Sequence, residues 1–274
     1  MTQVISRYLD TPDGRRLFLR ELGDTGAEKT LVVVHGYGEH GGRYIERLQA
    51  FVEDGYRVLI ADQRGHGRSD GPRGHVRRFQ RYHDDLELVL AEAQSSAENT
   101  VLFGHSAGGL IVLSALLQRT LPVAAAALSS PLLGLAITPP KWKETLGRAV
   151  ARVLPRVSLP TEIEANMVSR DPDVVRGYET DPLIHHVVNT RWFVETTATM
   201  TACLADAAKL PVPAFVMQSG EDKLVSADAS AQFAQAAGCE FECVEGAYHE
   251  LWFEPDGERY AEQMRQWLNL RVAA

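Results

Sequence analysis

The chain has 274 residues, 28 Lys and Arg against 36 Asp and Glu for a formal net charge of −8, and 45% apolar residues with 22 Gly, 13 Pro and 3 Cys. That length and apolar fraction support one large α/β domain or two small ones around a real core, and they exclude disordered, collagen-like and disulfide-stapled chains. The acidic balance has no basic half, which argues against nucleic-acid binding. No run approaches the roughly 18 apolar residues of a spanning helix and the first ten residues lack a signal peptide's basic flank, so the reading is a soluble, cytoplasmic protein.

In chain order, residues 6–22 read as a hairpin around the turn signal Thr11-Pro12-Asp13-Gly14. Short β-rich runs then alternate with helical patterns. The strand candidates are Leu31–His35, Tyr56–Asp62, Val101–Gly104, Val123–Ser129, Ala214–Gln218 and Phe241–Val244. Their runs are read as continuously apolar, which suits strands covered on both faces of a parallel sheet. Helical periodicity fills the gaps at Phe79, Tyr82, Leu86, Leu90 and Ala93, then over residues 227–237 and 257–270. The expected fold class is α/β, a doubly wound, mostly parallel sheet with an N-terminal antiparallel hairpin.

Between Ser130 and Leu210 about eighty residues pass without a convincing core strand. That is too long for an ordinary connection and reads as an inserted helical cap. The expected organisation is a core of residues 1–130 and 210–274 with the cap at 131–209. A helix-like piece, Lys141–Leu154, puts Trp142, Leu146, Ala149, Val150, Val153 and Leu154 on one face, and residues 139–157 carry five basic side chains against one acidic. Such a segment suits packing over a pocket with its basic side in water, and also transient contact with a membrane or micelle surface, for which Arg148 and Arg152 are the candidate residues. Cys239 and Cys243, four apart on a strand, lie about 13 Å from one another, beyond disulfide reach. With Cys203 they read as small buried hydrophobes.

Two glycine motifs compete. Gly36-Tyr37-Gly38-Glu39-His40-Gly41 fits G-x-G-x-x-G after a strand, with Asp62 ending the next strand, and alone would suggest a dinucleotide site. Gly104-His105-Ser106-Ala107-Gly108 fits G-x-S-x-G between strand and helix, a nucleophile elbow that raises Ser106 at the sheet's carboxyl edge. A serine nucleophile needs a base and an orienting acid in the order Ser, Asp or Glu, His. Asp222 follows one strand, 116 residues after Ser106, and His249 follows the next, 27 residues further. Glu221 is the rival to Asp222, and His105 reads as support for the elbow. His35, His40, His66, His75, His83 and the adjacent His185 and His186 lack metal-ligand spacing, so no metal is expected. The oxyanion donors predicted by the elbow geometry are the amides of Ala107 and Tyr37, which gives the first glycine loop a purpose the dinucleotide reading lacks.

With these residues the chain resembles the α/β-hydrolase superfamily, and within it the monoacylglycerol lipase and lysophospholipase-like group. The matching words are residues 35–44, 62–69, 104–109, 169–175, 178–183 and 245–249. Ala107 departs from the family's usual Met without removing the amide, and the middle of the cap matches loosely, which leaves acyl chain length open. The resemblance implies an α/β-hydrolase fold and hydrolysis of glycerol esters bearing one acyl chain under an apolar cap. On its matching positions Glu39 and Arg43 would brace the oxyanion loop, and Tyr178 would face the alcohol pocket, a substrate-binding set. The expected activity is a serine esterase, without cofactor, acting on monoacylglycerols. Lysophospholipase, short-chain carboxylesterase and aminopeptidase stay open on the same triad, as do a non-catalytic ligand receptor and a nicotinamide-dependent enzyme on the first glycine motif.

Overall fold

The computed structural model describes residues 3–137, 157–161 and 163–272. The strands are β1 (Val4–Asp10), β2 (Arg16–Leu22), β3 (Lys29–Val34), β4 (Tyr56–Ala61), β5 (Thr100–His105), β6 (Ala125–Ser129), β7 (Ser158–Pro160), β8 (Val187–Asn189), β9 (Ala214–Ser219) and β10 (Glu240–Val244). The helices are α1 (Gln49–Glu53), α2 (Gln80–Glu92), α3 (Ala107–Gln118), α4 (Pro172–Thr180), α5 (Thr190–Asp206), α6 (Ala227–Ala237) and α7 (Gly257–Asn269).

The main sheet runs β1-β2-β4-β3-β5-β6-β9-β10. β1 and β2 form the antiparallel hairpin, β2 joins β4 antiparallel, and every pairing from β4 to β10 is parallel. Side chains alternate across the pleat, so Val32 and Val34 of β3 pack with α2, α3 and α5 while Leu31 and Val33 pack with α1 and α7. Both faces are covered, which is why the central strands carry apolar residues continuously.

Helix ends follow local chemistry. Ser226 accepts from the Ala229 amide at the start of α6, and Gly238 closes that helix at φ 68°. Asp171 caps α4 before Pro172, and Asn189 caps α5.

One strand differs from expectation. β10 has a neighbour on one side only, and Phe241 and Cys243 are exposed there, not covered on both faces. Of the three cysteines Cys203 is buried, Cys239 half-buried and Cys243 exposed, so the reading of all three as buried hydrophobes is corrected. An edge strand shields fewer of its side chains.

Between β6 and β9 the described residues hold no strand of the main sheet. β7 pairs with β8, and α5 lies on α3 through Trp192, Met200 and Cys203. The helix expected over 141–154, with Trp142, Arg148 and Arg152, lies outside the described residues. Among the described residues no helix is long and apolar enough to cross a membrane.

Candidate active site

The turn from β5 into α3 holds Ser106 at φ 52° and ψ −119°, a conformation that costs a side-chain-bearing residue energy and persists only where its surroundings impose it. The Ser106 amide donates to Ser129 O at 3.0 Å, and its carbonyl accepts from Leu110 at 3.2 Å and Leu132 at 2.9 Å. A Cβ on Gly104 would lie 2.8 Å from Gly109 Cα, and one on Gly108 would lie 2.1 Å from Val34 O. The glycines therefore let α3 rest directly on the ends of β5 and β3.

Asp222 follows β9 and His249 follows β10, so both reach the carboxyl edge of the sheet, where open α/β sheets place their sites. His249 Nδ1 lies 2.7 Å from Asp222 Oδ2. Asp222 Oδ1 accepts from the amides of Leu224 at 2.9 Å and Val225 at 3.0 Å. Its Oδ2 also accepts from Ser219 Oγ at 2.8 Å and Gln218 Nε2 at 3.2 Å. Burial alone would raise this carboxyl, but the facing His249 and the two amides hold it below the usual carboxylate range. Burial alone would lower His249; Asp222, Glu250 and Glu39 together raise it above an ordinary histidine. The Asp222 carboxylate dictates the tautomer, with the proton on Nδ1 and Nε2 left as acceptor. Glu221, the rival acid, is exposed.

His105 points its Nδ1 at Ser129 O, 3.1 Å away, and its ring centroid lies 4.8 Å from that of His249. Burial, then the neighbouring His249, pushes it down to about 3, so it stays neutral and packs the elbow.

The loop after β3 lies against Ser106: a Cβ on Gly36 would be 3.3 Å from Ser106 Cβ. The Gly36 amide donates to Glu39 Oε1 at 2.6 Å, which turns the loop, and Gly38 sits at φ 83°. Among the described residues the Tyr37 and Ala107 amides have no partner. The Tyr37 side chain leaves in another direction, its hydroxyl donating to Val187 O at 2.9 Å and its ring 3.9 Å from Trp192. Only a short 3-10 turn, Gly41–Tyr44, follows, and the carboxylate of Glu39 occupies the first glycine amide. A dinucleotide fingerprint needs that amide and a helix N-terminus for phosphate, so the first glycine motif is no such site.

Residues 25–256 match the family described as serine aminopeptidase, S33. The chain belongs to this family of α/β hydrolases. It is 31% identical to phospholipase YtpA of Bacillus subtilis, over 83% of this chain and 90% of that protein. It is 30% identical to a monoacylglycerol lipase of Mycolicibacterium smegmatis, over 89% of each, and 30% identical to the monoglyceride lipase of Rattus norvegicus, over 97% of this chain and 91% of that one. The crystal structure of Paleococcus ferrophilus monoacylglycerol lipase superposes with a TM-score of 0.84 at 25% identity, covering 98% of this chain and all of the other. A soluble variant of the Saccharomyces cerevisiae monoglyceride lipase shares the fold with a TM-score of 0.85, over 100% and 97% of the two chains. This α/β hydrolase is of the lipase and esterase kind, a carboxylic ester hydrolase.

In this hydrolase Glu39 and Arg43 are engaged within the chain. Glu39 accepts from the Gly36 amide, from Tyr44 Oη at 2.7 Å and from Arg43 Nη1 at 2.7 Å. Arg43 also donates to both oxygens of Glu250, at 2.7 and 2.6 Å. Tyr178 is 3% exposed, with its hydroxyl 3.8 Å from where a Gly38 Cβ would stand and its ring under Arg43. His40 ties the same loop to the passage before β9: its Nδ1 accepts from the Gly42 amide, so its Nε2 donates to Asp181 at 2.8 Å. Sequence reasoning missed Glu250 and Ser219. Glu250 follows His249 directly, and its buried carboxylate is marked only by the distant Arg43.

Proposed function

We propose that this hydrolase cleaves monoacylglycerols to glycerol and fatty acid through a Ser106-His249-Asp222 triad. The observation that carries the reading is the Asp222–His249 hydrogen bond of 2.7 Å, in a chain whose elbow serine, Ser106, is held in a strained conformation. Ser106 Oγ attacks the ester carbonyl as His249 Nε2 takes its proton. The negative oxygen that develops is met by the Tyr37 and Ala107 amides, fixed before the substrate arrives. His249 returns the proton to the departing glycerol oxygen, then takes a proton from the water that attacks the acyl carbon and gives it to Ser106 Oγ as the fatty acid leaves. Asp222 stays ionised throughout and holds the imidazole in its Nδ1–H tautomer. Glu39 and Arg43 position the oxyanion loop, and Tyr178 closes the alcohol side.

Residues 131–209 form the cap over a core of 1–130 and 210–274, and the cap's entrance touches the lipid surface that supplies the substrate. The names of relatives, monoacylglycerol lipase and phospholipase, support a lipid ester with one free face. The phospholipase relative favours lysophospholipids as the second reading. An aminopeptidase needs an unengaged carboxylate for the substrate's ammonium, and Glu39 and Glu250 are both held by Arg43.

The test is a panel of monoacylglycerols of graded chain length, lysophospholipids, p-nitrophenyl esters and aminoacyl amides, run with labelling by a fluorophosphonate probe. The expected result is highest kcat/KM on a monoacylglycerol and labelling that disappears in Ser106→Ala. Full esterase activity in Ser106→Ala overturns the triad, and preference for lysophospholipid or aminoacyl amide overturns the substrate.

A further inference from the structure

Behind Asp222 lie two buried serines that the mechanism above does not use. Ser130 follows β6 and Ser219 ends β9, adjacent strands of the sheet, and both are 0% exposed. Their hydroxyl oxygens are 2.9 Å apart, and Ser219 Oγ lies 2.8 Å from Asp222 Oδ2. The Ser219 amide approaches Ser130 Oγ at 3.4 Å.

The protons in this chain have one arrangement. Ionised Asp222 can only accept, so Ser219 must donate to it. Ser219 Oγ is then free to accept, and Ser130, whose oxygen receives the Ser219 amide, donates its hydroxyl proton to Ser219. The direction runs from Ser130 through Ser219 to Asp222. Gln218 is oriented in the same sense, because Ser230 Oγ donates to its Oε1 at 2.8 Å and leaves its amide protons facing Asp222. Ser130 itself is held at φ 43°, with its amide on Met217 O at 2.8 Å. The residue before it, Ser129, supplies the carbonyl that receives the Ser106 amide. One strand end thus anchors the serine at one residue and the acid at the next. Two fully buried hydroxyls would be costly unless each were hydrogen-bonded, and here both are.

We propose that Ser219, aligned by Ser130, is a positioning residue for the triad that fixes the Asp222 carboxylate and moderates its pull on His249. This rests on the triad reading of the preceding subsection. The hydroxyl shares Oδ2 with His249 Nδ1, and its positive end faces the carboxylate. It therefore draws negative charge away from the imidazole. Without it Asp222 stabilises the imidazolium more strongly and also gains freedom to rotate.

The experiment is the pH profile of kcat/KM for soluble ester, with kcat and KM resolved, in the wild type, Ser219→Ala, Ser219→Thr and Ser130→Ala. In Ser219→Ala the acid limb moves to higher pH by about half a unit and kcat falls about threefold to tenfold with KM little changed. Ser219→Thr restores both, because the hydroxyl returns. Ser130→Ala shifts the limb the same way and less far, and it carries the test if Ser219→Ala does not fold. An acid limb unmoved in these variants, with only the melting temperature lowered, overturns the inference and assigns the pair to packing. Fluorophosphonate labelling of Ser106 separates the cases. If Ser106 is labelled and the limb does not move, this inference alone fails, and if Ser106 is not labelled, the triad reading fails first.

Discussion

Three carboxylates act on His249, Asp222 by direct contact and Glu39 and Glu250 through their charge, and the fold treats the first and the other two in opposite ways. Asp222 is surrounded by neutral donors alone: two backbone amides, a hydroxyl, a side-chain amide and the imidazole itself. Glu39 and Glu250 instead share one guanidinium, Arg43, whose side chain is only 10% exposed. Neutral donors satisfy a carboxylate's lone pairs but leave its charge to act on whatever cation forms beside it. A guanidinium cancels much of that charge. The fold thus keeps negative potential at the His249 imidazole, where the proposed mechanism draws a proton, and quenches it at the two carboxylates that hold Arg43. Buried charge costs several kcal/mol unless paired, so both solutions are needed within one site.

The comparison breaks most severely at Asp222. Asp222→Asn keeps the shape and removes the charge, and kcat for ester hydrolysis is expected to fall by about 10⁴ through loss of tautomer control and imidazolium stabilisation. A loss near tenfold in a steady-state assay places the useful charge elsewhere. Arg43→Met leaves Glu39 and Glu250 buried without a counter-charge, and denaturant unfolding is expected to register about 3–5 kcal/mol of lost stability. A loss near zero means the two carboxylates take up protons or water at little cost, and the contrast with Asp222 disappears.

The smallest effect sharpens the contrast. In the proposed triad His249 must be neutral to accept the serine proton, so activity is expected to be lost as pH falls through its pKa. Asp222, Glu250 and Glu39 raise that pKa over the ordinary histidine value of about 6.5 despite burial, and the acid midpoint of kcat/KM is expected above it. Glu250→Gln removes one of these negative charges while Arg43 keeps Glu39. The midpoint moves to lower pH by a few tenths of a unit, opposite in sign to the shift expected for Ser219→Ala. A downward shift as large as the upward shift of Ser219→Ala would mean that Arg43 leaves the Glu250 charge unquenched.

The sequence was most legible where one residue's neighbours decide its state. The central strands are apolar on successive residues because both faces are covered, and α6 spans residues 227–237 as read, with Ser226 and Gly238 at its ends. The order Ser106, Asp222, His249 at strand ends is likewise visible from spacing. β10 misled because Phe241, Cys243 and Val244 look like a buried strand, and only the sheet order reveals an edge. Glu250 and Ser219 were invisible for a related reason. A Glu beside a His in a loop resembles a solvated charge until Arg43, 207 residues away, is brought against it. Ser219 gains its partner only because β6 and β9 are neighbours, 89 residues apart in the chain.

Gly108 has a consequence for motion. With no side chain between them, the first turn of α3 and the end of β3 are in backbone contact, so the two amides assigned to the oxyanion belong to one rigid frame and do not have to be assembled by the substrate. The reorganisation energy of that step is already met by folding. Any conformational change that accompanies entry of a long acyl chain is then expected outside the contact between α3 and β3.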